Sequence, residues 1–199
     1  ICLVLAYPLA YLLTRMKEST QNTLIMLLMI PMWMNFLLRI YAWVTLLQDN
    51  GPIDMMLSLL GIHSTYIGNT GAVILGMVYE YLPFMVLPIY TVMSKIDNGL
   101  IEAAQDLGSN NFTGFRKVVA PLSVPGIISG VTMVFVPSAS TFLVAQYLGG
   151  PDDIMIGDVI EKILWTDQNT GSAISLILMI FIFVFLIIMN LFGDEEAIA

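Results

Sequence analysis

Residues 172–192, SAISLILMIFIFVFLIIMNLF, contain no charged side chain. A helix rises 1.5 Å per residue, so about twenty such residues cross the roughly 30 Å hydrocarbon core of a bilayer. Four more apolar segments occupy residues 1–14, 22–47, 71–93 and 122–148, and the second is long enough to be tilted or broken at Pro31. These lengths and breaks predict an all-α membrane protein. Composition agrees. Charged residues are 11% of the 199 and hydrophobic residues 58%, whereas about a quarter of an ordinary soluble domain is charged. A lone Cys2 forms no internal disulfide or cysteine cluster, and His63 cannot build a zinc site alone, so no metal site is expected. Nor does a net charge of -8 point to nucleic acid.

The first segment opens at Ile1, and its cations, Arg15 and Lys17, follow the apolar run. A signal peptide has the opposite order. The expectation is a membrane helix already in progress, with one or more segments upstream.

Sidedness follows from the cations. Arg15 and Lys17 lie in the first connection, and Lys95, Arg116 and Lys117 in the third, which together hold five of the seven basic residues. The positive-inside rule makes these connections cytoplasmic. The connections at 48–70 and 149–171 carry Asp49, Asp54, Asp152, Asp153, Asp158, Glu161 and Asp167 against Lys162, and so face outward. Within the latter, Ile156, Val159, Ile160, Ile163 and Leu164 recur at helical spacing, which predicts a short helix on the membrane surface. GPIDMMLSLLGI reads the same way.

The third connection is long and polar. Asp97 or Asn98 can cap a short helix through Ile101, Glu102, Ala103, Ala104 and Leu107, and Gly108 follows where a left-handed residue ends it. Leu100, Ala104 and Leu107 share one face, and the two alanines leave it smooth enough for close approach by another surface. Asn110 or Asn111 can cap a second helix carrying Phe115 to Val119 before Pro121. A small capped helix continued into spanning helices at both ends is suited to transmit a push from a soluble partner.

This stretch resembles the EAA signature of bacterial ABC importer permeases. Glu102, Ala103, Ala104, Gly108 and Pro121 fall in register, with Val118 and Ala120 standing where the signature has isoleucine and leucine. The resemblance implies the transmembrane domain of a type I importer in the bacterial inner membrane. It would be a single permease domain over 1–199 with five of six helices present and a cytoplasmic coupling loop over 95–121. It further implies a second permease subunit, a cytoplasmic ATPase dimer that holds the ATP and magnesium, and an extracytoplasmic solute-binding protein. Glu102, Ala103, Ala104, Gly108 and Pro121 would then serve ATPase coupling, while Arg116 and Lys117 are general inside anchors. The stretch IPMWMNFLLRIYAWVTLLQDNG is similar to spermidine/putrescine importer permeases through Pro31, Trp33, Arg39, Tyr41, Ala42, Trp43, Leu46, Leu47 and Gly51, as is LGGP at 148–151.

A cationic solute also suits the residues. Glu80 sits mid-span, where a lipid-facing carboxylate costs on the order of 3 kcal/mol, so it faces the bundle interior or a watery path. Tyr79 and Tyr81 flank it, and aromatic faces receive ammonium groups. The candidate path set is therefore Glu80, Tyr79, Tyr81, Arg39 and Trp43. Two roles stand open for Glu80: solute contact, or an ion pair for which Arg39 is the nearest candidate in type. A phosphate-cradling Gly-rich motif is missing from the sequence, so any ATPase must be another chain. A secondary transporter calls for paired charges and internal repeats, and a membrane enzyme for an activated nucleophile or paired carboxylates; neither pattern is evident.

Overall fold

The computed structural model describes residues 1–59, 61, 65–106 and 108–197, the side chains of 98, 111 and 192–197 excepted. His63, considered above as a zinc ligand, and Leu107, placed above on the coupling helix, lie outside the described residues. Among the described residues every regular element is helical.

Two helices are continuous and apolar enough to cross a bilayer: α5 (Thr70–Met93), and the stretch Gln168–Leu191 of α12 (Gln168–Ala197). The segment expected at 22–47 is broken. After α2 (Glu18–Met29) comes a 3-10 turn at Ile30–Trp33 that begins around Pro31. The backbone then turns extended at Met34, and the Asn35 side chain accepts the Leu37 N–H to start α3 (Phe36–Leu47). The bend between Glu18–Trp33 and Phe36–Ser58 is 96°. Segment 122–148 divides as well, into α9 (Val124–Ser140) and α10 (Leu143–Leu148), which follow α6 (Asn98–Asp106), α7 (Asn111–Gly114) and α8 (Ala120–Leu122). Pro137 lies within α9, and α9 ends at Ser140 with carbonyls that the backbone of Gly157 approaches. A Cβ at Gly157 would stand 2.9 Å from the Thr141 oxygen. The first segment is the 13-residue α1 (Cys2–Thr14), and both expected outer helices exist, as α4 (Pro52–Ser58) and α11 (Ile156–Thr166).

The helices gather into two compact units. One comprises 27–81 and 136–182, and its core joins Ile40 and Leu47 of α3, Ala72 and Val73 of α5, and Val144, Ala145 and Leu148 of α10. Gly76 permits that packing, because a Cβ there would sit 2.5 Å from Leu148. The other comprises 1–26, 82–135 and 183–199. Here Gly126 and Gly130, one helical turn apart on α9, bring its backbone onto Pro88, Ile89 and Met85 of α5. That is the small-residue packing expected where lipid supplies no hydrophobic drive between helices. In contrast, none of the apolar window of α12 is buried.

Candidate functional site

The third connection builds one candidate site. Its first helix, α6 (Asn98–Asp106), starts at Asp97, whose Oδ1 accepts the Gly99 N–H at 2.9 Å. It stops at Gly108, whose φ is +84°. The Gly108 N–H donates to the Gln105 carbonyl at 2.8 Å and the Ser109 N–H to the Ala104 carbonyl at 3.1 Å. This double bond pattern closes a helix through a left-handed residue, and glycine enters that region without steric cost. Nothing lies within 4 Å of a Cβ built there, so the demand for glycine is one of backbone conformation alone.

Asn110 then accepts the Thr113 N–H at 2.7 Å to start α7 (Asn111–Gly114). Beyond it the expected ordinary helix is corrected. Phe115–Val119 form a π-helical stretch in which the Ala120 N–H reaches back to the Phe115 carbonyl. Pro121 has no N–H to offer the carbonyl of Lys117, four residues earlier, and the register widens just before it. The short α8 (Ala120–Leu122) carries Pro121, which is exposed.

The two alanines part company. Ala103 is exposed, with Glu102 and Leu100 beside it, while Ala104 is half-buried and shares a cavity with Thr113, Gly114 and Val118. The smooth outer surface of α6 is thus Gly99, Leu100 and Ala103, where the sequence had placed Ala104. Arg116 and Lys117 are both exposed.

The second candidate set lies where α3 meets α5. Arg39 and Glu80 form an ion pair at 2.5 Å, with the residues 8% and 3% exposed. One guanidinium nitrogen, Nη2, makes that contact; Nε and Nη1 are buried and have no hydrogen-bond partner among the described residues. Trp43, one turn beyond Arg39, meets Tyr79 edge-on with ring centroids 5.3 Å apart. Tyr81 is buried and donates to the Pro137 carbonyl at 3.4 Å. All five path candidates fall in the same unit, and of the two roles open to Glu80 the geometry displays the ion pair.

Residues 3–194 match the family described as binding-protein-dependent transport system inner membrane component. The chain belongs to that family. The spermidine/putrescine transport system permease protein PotB of Haemophilus influenzae is 41% identical over 181 residues, covering 88% of this chain and 63% of that protein. The Escherichia coli protein of the same name is 39% identical over 184 residues, covering 90% of this chain and 67% of that one. The chain thus spans just under two thirds of the length of the first of these relatives. A bacterial ABC transporter involved in the import of the acidic polysaccharide alginate superposes with a TM-score of 0.75 over 96% of this chain and 71% of its own. Its 15% identity makes that a likeness of fold.

In this inner membrane component the sequence reading passed over one set of residues. Phe115, treated there as a passenger of the second helix, meets Tyr11 edge-on at 5.0 Å and Tyr7 at 5.9 Å. Tyr7 also hydrogen-bonds Ser123 at 2.8 Å. The signal was available in part: Tyr7 and Tyr11 stand four apart in a helix and so share a face.

Proposed function

We propose that this inner membrane component is a permease subunit of an ATP-driven ABC importer for polyamines of the spermidine and putrescine class. It catalyses no reaction itself. It forms half of a translocation path with a second permease subunit, receives solute from an extracytoplasmic binding protein, and is driven by a cytoplasmic ATPase dimer that holds the ATP and magnesium. The observation that carries the reading is α6: capped by Asp97, closed by a left-handed Gly108, and presenting Leu100, Glu102 and Ala103 outward. A helix held at both ends, with a small residue at its exposed centre, fits a groove on a soluble partner.

Polyamine as solute is supported by similarity to permeases named for spermidine and putrescine. A path shared between two subunits is lined by residues that a single chain leaves accessible, which separates the candidates. Half-buried Trp43 and Tyr79 offer aromatic faces to an ammonium group. Glu80, Arg39 and Tyr81 are sealed within the unit and hold the wall behind them.

The test is uptake of labelled spermidine and putrescine into cells carrying the full-length permease with its partners, comparing wild type, Gly108→Asn and Gly108→Val. Uptake should survive Gly108→Asn, since asparagine tolerates the left-handed region, and fail in Gly108→Val with membrane insertion intact. Wild-type transport of neither amine removes the solute class. Normal transport by Gly108→Val removes the coupling role of α6.

A further inference from the structure

We propose that Phe115, held between Tyr7 and Tyr11, is a positioning residue for energy coupling that makes α1 move as one body with the docking loop. The inference rests on the reading of α6 as the ATPase-docking helix.

Displacement of α6 has two covalent routes into the spanning helices, and both are compliant. Toward α5 it passes through the break at Ser94–Asp97. Toward α9 it passes through the π-helical stretch and a 57° bend between Phe112–Leu122 and Val124–Ser140. A widened turn followed by a bend absorbs motion unless something braces it.

Helix α1 supplies the brace, at both ends of the widened turn. At its first residue, the Phe115 ring stands edge-on to Tyr11, at 5.0 Å and 76°, and to Tyr7, at 5.9 Å and 82°. Four residues past its end, Ser123 is fully buried; its N–H donates to the Val119 carbonyl at 3.0 Å, which ties it to the last residue of the turn, and its hydroxyl donates its proton to the Ala120 carbonyl at 2.8 Å. That proton is spent, so in the 2.8 Å contact between Tyr7 and Ser123 the tyrosine is the donor. Two tyrosines one helical turn apart thereby hold a five-residue turn at both of its ends. The docking helix borders the same body: Ile101 of α6 lines a small cavity with Tyr11 and Thr14 of α1, Met93 of α5 and Val119 of the widened turn. Removing the Phe115 ring leaves α6 able to dock and the turn free to flex.

The experiment uses the full-length permease assembled with its partners in liposomes, on a Cys2→Ala background. Spin labels at Leu12→Cys on α1 and Gln105→Cys on α6, both exposed sites and the second outside the docking residues Leu100, Glu102 and Ala103, report the distance between the two helices with and without trapped nucleotide. Uptake and ATP hydrolysis are measured on the unlabelled proteins. In wild type that distance should stay fixed when nucleotide binds. In Phe115→Leu it should shift or broaden, and solute moved per ATP should fall about tenfold, the weight of two edge-to-face aromatic contacts. The amount inserted and the hydrolysis rate should hold. Phe115→Tyr, which keeps the ring, should restore the ratio. Tyr7→Phe keeps the aromatic contact and removes only the hydroxyl, and should lower the ratio by less.

An unchanged distance and ratio in Phe115→Leu overturns the brace. So does a parallel fall of uptake and hydrolysis, which would mark a purely structural residue. If wild type moves no polyamine while the distance holds and Phe115→Leu releases it, the solute class falls and the brace stands.

Discussion

Glu80 places a carboxylate in the middle of a spanning helix, and Arg39 answers it from 41 positions away in sequence with one of its three guanidinium nitrogens. The cost of a lipid-exposed charge turns Glu80 inward, and residue type nominates Arg39 as its partner. Only the gathering of α3 and α5 in one aliphatic core with α10, which Gly76 lets approach α5, closes the pair. Breaking one member of a buried pair leaves the other charge without compensation, whereas replacing both with apolar groups of similar volume is close to neutral. Glu80→Gln should therefore cost about 3–5 kcal/mol of stability, and the double variant Arg39→Met with Glu80→Leu should recover most of it. Thermal unfolding of the detergent-solubilised protein, followed by tryptophan fluorescence, reads both. A Glu80→Gln protein that melts with wild type yet loses polyamine uptake would return Glu80 to the solute path.

At the level of elements, the sequence marked where helices begin and end more surely than how they run. Asp97 or Asn98 and Asn110 or Asn111 were interchangeable by type; Asp97 accepts the Gly99 N–H and Asn110 the Thr113 N–H, while the side chains of 98 and 111 lie outside those described. Gly108 was legible outright, since a glycine just past a short helix has a dedicated role there. The π-helical stretch was not, because the same residues wind equally well in an α register and the choice rests on Pro121 downstream. Gly108→Ala should lower stability by about 1–2 kcal/mol, the cost of a left-handed L-residue, and Gly108→Asn by less.

Acids of the connections expected to face outward also cap and brace chain segments. Asp167 accepts the N–H groups of Asn169 and Thr170 at the start of α12, and Asp153 accepts from the Thr70 hydroxyl and the Gly150 N–H. The Thr170 hydroxyl beside Asp167, and the Thr70 hydroxyl beside Asp153, hold these carboxyls below the ordinary aspartate value of 3.8. A depressed folded pKa contributes stability that is complete above the unfolded value and is lost as pH falls through the folded one. Melting temperature should thus be level from neutral pH down to the ordinary carboxylate range and drop below it. Asp153→Asn should flatten part of that drop.

For the whole molecule, length and hydropathy marked the five segments but treated each as a rod, and two of them are broken, 22–47 at a 96° bend and 122–148 between α9 and α10. The breaks arise from local cues too weak to rank in sequence: an asparagine cap at Asn35, and the close approach of the Gly157 backbone to the Ser140 and Thr141 carbonyls. Charge was more informative than hydropathy. Arg15, Lys17, Lys95, Arg116 and Lys117 all fall within one compact unit, and Asp49, Asp54, Asp152, Asp153, Asp158, Glu161 and Asp167 all within the other. The positive-inside rule expects α6 to be cytoplasmic and α11 external, and the proposed function depends on that expectation, since a docking helix on the outer face would never meet an ATPase that draws on cytoplasmic ATP. On a Cys2→Ala background, a membrane-impermeant maleimide added to intact spheroplasts should label Trp165→Cys, at a site 85% exposed on α11, and leave Gln105→Cys, exposed on α6, untouched until the cells are opened. The reverse pattern would invert the chain in the membrane, and α6 would lose its partner however well its caps and its left-handed glycine suit one.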